Sequence, residues 1–174
     1  MTFSLDWTHG TAEIGELGLS ETRQASADEL TALAGALEIL SCERLCVRYE
    51  IASLGHGRFR LAGELEADVT QACVVTLDPV PARIHEQFAV EFWPQQDLVC
   101  DGVGERAILT GADVEPIEGA RIDAGRIVFE HLSAALDPYP RKAGAEFRWD
   151  EDGGEAVAPA ENPFSVLAKL KPKK

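Results

Sequence analysis

From Glu43 to Val69 the chain keeps a two-residue period, and no other feature constrains its fold as strongly. Leu45, Val47, Tyr49 and Ile51 share one parity, while Arg44, Cys46, Arg48 and Glu50 share the other. After Gly55-His56-Gly57 the alternation resumes through Phe59, Leu61, Gly63, Leu65, Ala67 and Val69. Successive side chains of a strand point to opposite faces, so this spacing predicts an antiparallel hairpin with one buried face and one polar face. The polar face sets Arg48, Arg58 and Arg60 against Glu50, Glu64 and Glu66.

The buried face needs a cover, and two helices supply it. Ser26-Ala27-Asp28-Glu29 is a capping box, and Leu30, Leu33, Leu37 and Leu40 follow at helical spacing. Asp123 caps a second helix ending at Leu136, with Ile127, Val128, Leu132, Ala135 and Leu136 on its buried side. Pro138 and Pro140 stop it. Further strands are expected at Phe3–Trp7, at Thr11–Leu17, and at Phe88, Val90 and Phe92 before Pro94. A buried strand from Ala72 to Leu77 is expected to end at Asp78-Pro79. The fold class is therefore α+β: a twisted antiparallel sheet, open or partly closed into a barrel, with two packed helices and a flexible C-terminal tail. Residues 1–149 read as one domain. Gln95 to Gly119 has no clear period and reads as an acidic, partly mobile insert. Residues 150–174 read as an acidic linker and a tail ending in lysines.

Composition narrows the function classes. Apolar residues make up 45% of 174 residues, enough for a core. No apolar run approaches the roughly 18 residues of a membrane span, and the N-terminus lacks a basic start and an apolar stretch. The expected location is the cytoplasm. The net charge of −14 opposes nucleic acid at long range and favours basic partners.

Catalytic signatures are missing. Cys42 and Cys46 have a spacing that could hold zinc on a helix, but they fall at a helix-to-strand junction, and no CxxC pair occurs. His9, His56, His85 and His131 are dispersed, so surface or turn positions are expected for them. There is no nucleophile elbow, and Gly102-Val103-Gly104 is too short for a phosphate loop. No enzyme activity, cofactor, metal or small-molecule ligand is expected; the alternative from another class is a small-molecule enzyme using a pocket beneath the Cys73 strand, which a convergent His–Asp or Cys–His pair in a closed cleft would reveal. Basic and aromatic spots remain as contact candidates: Arg48, Arg58 and Arg60 on the hairpin, and Tyr139, Arg141 and Lys142 around a rigid Pro-x-Pro turn. Asn162, Pro163, Phe164 and Leu167 begin an apolar helical turn that suits docking, on this domain or in a partner groove.

Several segments, in order, carry a family likeness. Cys73, Leu77, Pro79, Glu86 and Phe88 fit a cysteine strand, a proline turn and a Glu-x-Phe strand. Ile122-Asp123 opens a helix followed by Asp137-Pro138-Tyr139-Pro140-Arg141-Lys142, and the tail carries Asn162-Pro163-Phe164-Ser165-Val166-Leu167. In this order they resemble YceD-like proteins, bacterial and plastid factors for accumulation of large-subunit (23S) ribosomal RNA. That family often has a second cysteine where this chain has Thr76, so a zinc-like role would lack a ligand here. The resemblance implies a non-enzymatic role in synthesis, processing or stability of 23S rRNA during large-subunit assembly. The partner it implies is the RNA itself or, given the acidity, a basic ribosomal protein bound without RNA contact.

Overall fold

The hairpin forms at greater length than its apolar period alone defines. In the computed structural model, which describes residues 5–15, 18–99 and 113–146, its arms are β3 (Ser41–Gly55) and β4 (Arg58–Ala72). Tyr49 pairs with Gly63 and Leu45 with Ala67, which puts the apolar parities of both strands on one face. Gly55, His56 and Gly57 all take positive φ, as a tight reversal between twisted strands requires. A bulge between Cys42 and Arg44 switches the parity of β3, so Cys42 is buried although it shares even numbering with the outward Arg44.

Strand β2 (Leu19–Gln24) pairs with β3, and β5 (Pro79–Trp93) pairs with β4, all antiparallel. The fifth strand, β6 (Asp113–Pro116), runs parallel to β5. The sheet is thus mixed and open, in the order β2-β3-β4-β5-β6, and is not a barrel. Its two edges, β2 and β6, do not meet.

One face of the sheet carries the core. Helix α1 (Ala27–Ala36) starts at the Ser26–Glu29 capping box, buries Leu33 and Ala34, and stops at Leu37; Leu40 lies beyond it and is exposed. The short helix α2 (Gln95–Val99) follows β5 directly. Strand β7 (Arg121–Asp123) pairs with β1 (Thr8–Gly10) as a separate ribbon and leads into α3 (Ala124–Ala135). Asp123 caps α3 by accepting the Arg126 N–H at 2.9 Å, and Ile127, Val128 and Leu132 enter the core. Leu5 and Trp7 cross the start of α3, where the Ala124 N–H donates to the Trp7 carbonyl.

Several expectations are corrected. Leu5 and Trp7 are buried but lie outside any strand, and the first strand is Thr8–Gly10. Residues 11–13 turn rather than extend, Glu16 and Leu17 lie outside the described residues, and the next described strand is Leu19–Gln24. His9 is a core residue, 6% exposed, 2.8 Å from the Tyr49 hydroxyl. His131 is half-buried and lies against the Phe88 ring. The expected strand Ala72–Leu77 does not exist: β4 ends at Ala72, residues 74–76 turn, and β5 begins at Pro79. Pro79 and Pro81 are tolerated inside β5 because β6 covers only Val90–Trp93, leaving that stretch of β5 with an open edge. Within Gln95–Gly119, a helix and a sheet strand form at either end. The tail with Asn162, Pro163, Phe164 and Leu167 lies outside the described residues.

Candidate partner-binding site

At the end of the sheet away from the Gly55–Gly57 turn, the β4–β5 connection is fastened to the segment after α3. Buried Gln71 donates from Nε2 to the Asp137 carbonyl at 2.9 Å. The Val74 N–H donates to the Pro140 carbonyl at 2.9 Å. The Lys142 N–H donates to Cys73 Sγ at 3.4 Å, and Lys142 Nζ pairs with Asp78 at 3.0 Å. These links fix two loops that lie 64 to 69 residues apart along the chain, and they hold Tyr139 and Arg141 in one place.

Cys73 is the centre of this clasp. Its side chain is fully covered, and its sulfur takes N–H groups from Lys142, Val75 and Thr76 and the Thr76 hydroxyl. A thiolate accepts such bonds far better than a thiol, so the Lys142 N–H first, and Thr76 next, bring its pKa down to about 6. Asp78 is held below the usual carboxylate range by Lys142. Thr76 is therefore a donor to sulfur here and not a second thiolate. Among the described residues, no group of three or more His, Cys, Asp or Glu side chains is placed to hold a metal ion. The donor set at Cys73 does not fit a zinc site.

The surface above the clasp is unusual. Leu77 is 76% exposed and Tyr139 72% exposed, and Val74 is exposed beside them. Leu77 has φ 62, a left-handed conformation that costs a leucine about 1–2 kcal/mol. The Leu77 N–H closes the turn onto the Cys73 carbonyl at 2.9 Å, and this conformation leaves its side chain in solvent.

Of the basic candidates, Arg48, Arg58 and Lys142 are paired with carboxylates. Arg48 pairs with Glu64 at 2.9 Å on the open face of the sheet. Arg58 makes two hydrogen bonds to Asp97 Oδ2 and stacks 4.2 Å from the Trp93 ring centre, clamping α2 onto β5. Arg23, Arg44, Arg83, Arg126 and Lys142 also pair with carboxylates. Arg60, Arg121 and Arg141 make no ion pair with a described residue. Arg58 sits at one end of β4 and the Tyr139–Lys142 turn at the other, so the structure does not gather the six candidates into one patch. It does bring Tyr139, Arg141 and Lys142 together with Val74, Leu77 and Cys73. Sequence reasoning missed Gln71 and Asp78; the only signal for them was the proline turn.

The comparisons with known proteins bear on this same region. The family model described as Large ribosomal RNA subunit accumulation protein YceD matches residues 61–171, well over half of the chain. The chain belongs to the YceD family. The matched span contains β4 from Leu61 onward, and all of β5, the clasp and α3. Comparison with curated proteins and with solved structures gave no match. The YceD family name ties the chain to accumulation of large-subunit ribosomal RNA, and Cys73, Asp78, Pro140 and Lys142 of this member meet in the clasp. No helix among the described residues of this YceD protein is long and apolar enough to cross a membrane.

Proposed function

We propose that the protein is a non-enzymatic factor for 23S rRNA accumulation in the cytoplasm, acting during large-subunit assembly by binding a basic ribosomal protein. The observation that carries this reading is the state of the cations. In a chain of net charge −14, most described arginines and Lys142 are already matched to carboxylates. Phosphate binding rests on cations that can displace counterions, and a cation already neutralised contributes little of that. An acidic body with exposed apolar side chains at one end suits a basic protein surface better than RNA.

A second reading has one observation in its favour. Arg141 makes no ion pair with a described residue and stands two residues from exposed Tyr139, a pairing able to touch phosphate and stack on a base. One experiment separates the two. The tagged protein is recovered from native cytoplasm in RNase-treated and untreated halves, and the protein and RNA in each half are identified. Ribosomal proteins that survive RNase support the first reading. Large-subunit RNA that is recovered only without RNase, with no ribosomal protein surviving treatment, overturns it in favour of the second.

A further inference from the structure

Beside the clasp lies a cleft of about 460 Å³ between the end of α1, the end of β4 and the end of α3. Leu37, Ile39, Ala72, Leu136, Pro138 and Pro140 give it apolar walls. Among the described residues, the charged ones that line it are Glu38 and Asp137, both carboxylates. Glu38 is exposed, has φ 54, and makes no ion pair with a described residue. Asp137 is exposed and accepts the Tyr139 N–H through Oδ1. Leu40 and Tyr139, 55% and 72% exposed, flank the cleft in sequence on its two sides.

We propose that this cleft seats a segment of the protein partner in which a lysine or arginine stands beside apolar side chains. The inference rests on the proposed binding of a basic ribosomal protein and names where that partner docks. Charge complementarity selects the occupant. An apolar cleft with two carboxylates and no cation at its walls pairs with a cationic amphipathic segment and repels an acidic or phosphate-bearing one. The walls are backed by fixed structure: Gln71 ties the Asp137 carbonyl, and the Leu40 N–H donates to the Thr70 carbonyl. A site held in place before binding gives up less freedom when it is filled. The chain's own segment from Asn162 has lysines and apolar residues too. It is joined to Glu146 through Asp150, Glu151, Asp152, Glu155 and Glu161, however, and folding it back would bring those carboxylates toward Glu38 and Asp137.

The test uses the full-length protein, labelled, on an array of short peptides tiling the large-subunit ribosomal proteins. Two substitutions at exposed positions challenge the cleft: Glu38→Lys reverses its charge, and Ala134→Trp fills it. Ala52→Ser, exposed in β3 near the hairpin turn and neutral in charge, is the control. The expected result is binding to peptides that combine Lys or Arg with apolar residues, weakened at least tenfold by each cleft substitution and unchanged by the control. Binding that both cleft substitutions leave intact overturns the cleft, while the binding itself still upholds the basic-protein reading. An array with no bound peptide overturns both. Binding that appears only when Phe164→Glu and Leu167→Glu are introduced assigns the cleft to the chain's own tail and overturns the proposal. So does a large-subunit RNA mobility shift abolished by Ala134→Trp.

Discussion

Cys73 shows how one side chain can couple two loops to pH. Its folded pKa of about 6 lies below an ordinary value near 9, so the folded state holds the thiolate more tightly than the unfolded chain does. The stability this contributes is fully present above pH 9 and is lost as pH falls through 6. Thermal melts between pH 6 and 9 should therefore show a wild-type Tm that rises with pH relative to Cys73→Ala, with the gap closing at the acid end. Equal slopes for the two proteins would mean that the sulfur is not an anion in the clasp. Leu77 gives a prediction of the opposite sign. Leu77→Gly removes the left-handed strain from an exposed position and should raise stability by about 1 kcal/mol, less the chain entropy of glycine, measured by urea denaturation. If Leu77 serves a partner, the same variant binds that partner less well. Little of this was legible in the sequence. The spacing of Cys73, Thr76 and Asp78 looked like a strand with a stop, because a buried apolar run does not distinguish a strand from a tight turn. The donor from Lys142 lies 69 residues away along the chain, and no local pattern signals it.

At the scale of elements, legibility followed periodicity. The hairpin was readable because thirteen residues or so of alternation cannot serve a helix, and α1 and α3 were readable because their caps and stripes agree. Strand β6 was not readable: Asp113-Val114-Glu115-Pro116 is short, acidic and ends in proline, and only its pairing beside Val90–Trp93 makes it a strand. The openness of the sheet was also hidden, since closure depends on how edges meet and not on any strand's own pattern. Glycines set two of the closest contacts between elements. Gly63 lies beneath Phe88 and opposite Tyr49, where an added Cβ would come within 2.7 Å of Tyr49 Cβ. Gly125, in the first turn of α3, lets the helix meet the Leu5 backbone, and a Cβ there would fall 2.0 Å from the Leu5 carbonyl oxygen. That obstacle is backbone and cannot rotate away. Gly125→Ala should cost about 2 kcal/mol or more and loosen Leu5 and Trp7 from α3, seen as a lower urea midpoint and a changed tryptophan emission. An unchanged midpoint would show that α3 shifts freely along the N-terminal segment.

For the whole molecule the question is which long-range force brings the partner in. A body of charge −14 gathers cations around itself, and an approaching basic protein exchanges them for its own lysines and arginines, so association should be fast and weaken with salt. An RNA site would show a different dependence, with a slope set by the number of phosphates that free cations neutralise. Arg48, Arg58 and Lys142 enter that count only after leaving Glu64, Asp97 and Asp78. Exposed pairs of this kind are held by about 0–1 kcal/mol, so phosphate displaces one only where it binds the cation more tightly, and one measurement, the salt slope, separates the two dependences. With Arg48, Arg58, Arg60, Arg141 and Lys142 all changed to glutamine, the slope of large-subunit RNA binding against salt should match that of the wild type. Binding to basic ribosomal protein should meanwhile strengthen slightly, because the body becomes more acidic. A slope flattened by several phosphate contacts would instead assign these residues to RNA and make the acidic charge a matter of solubility.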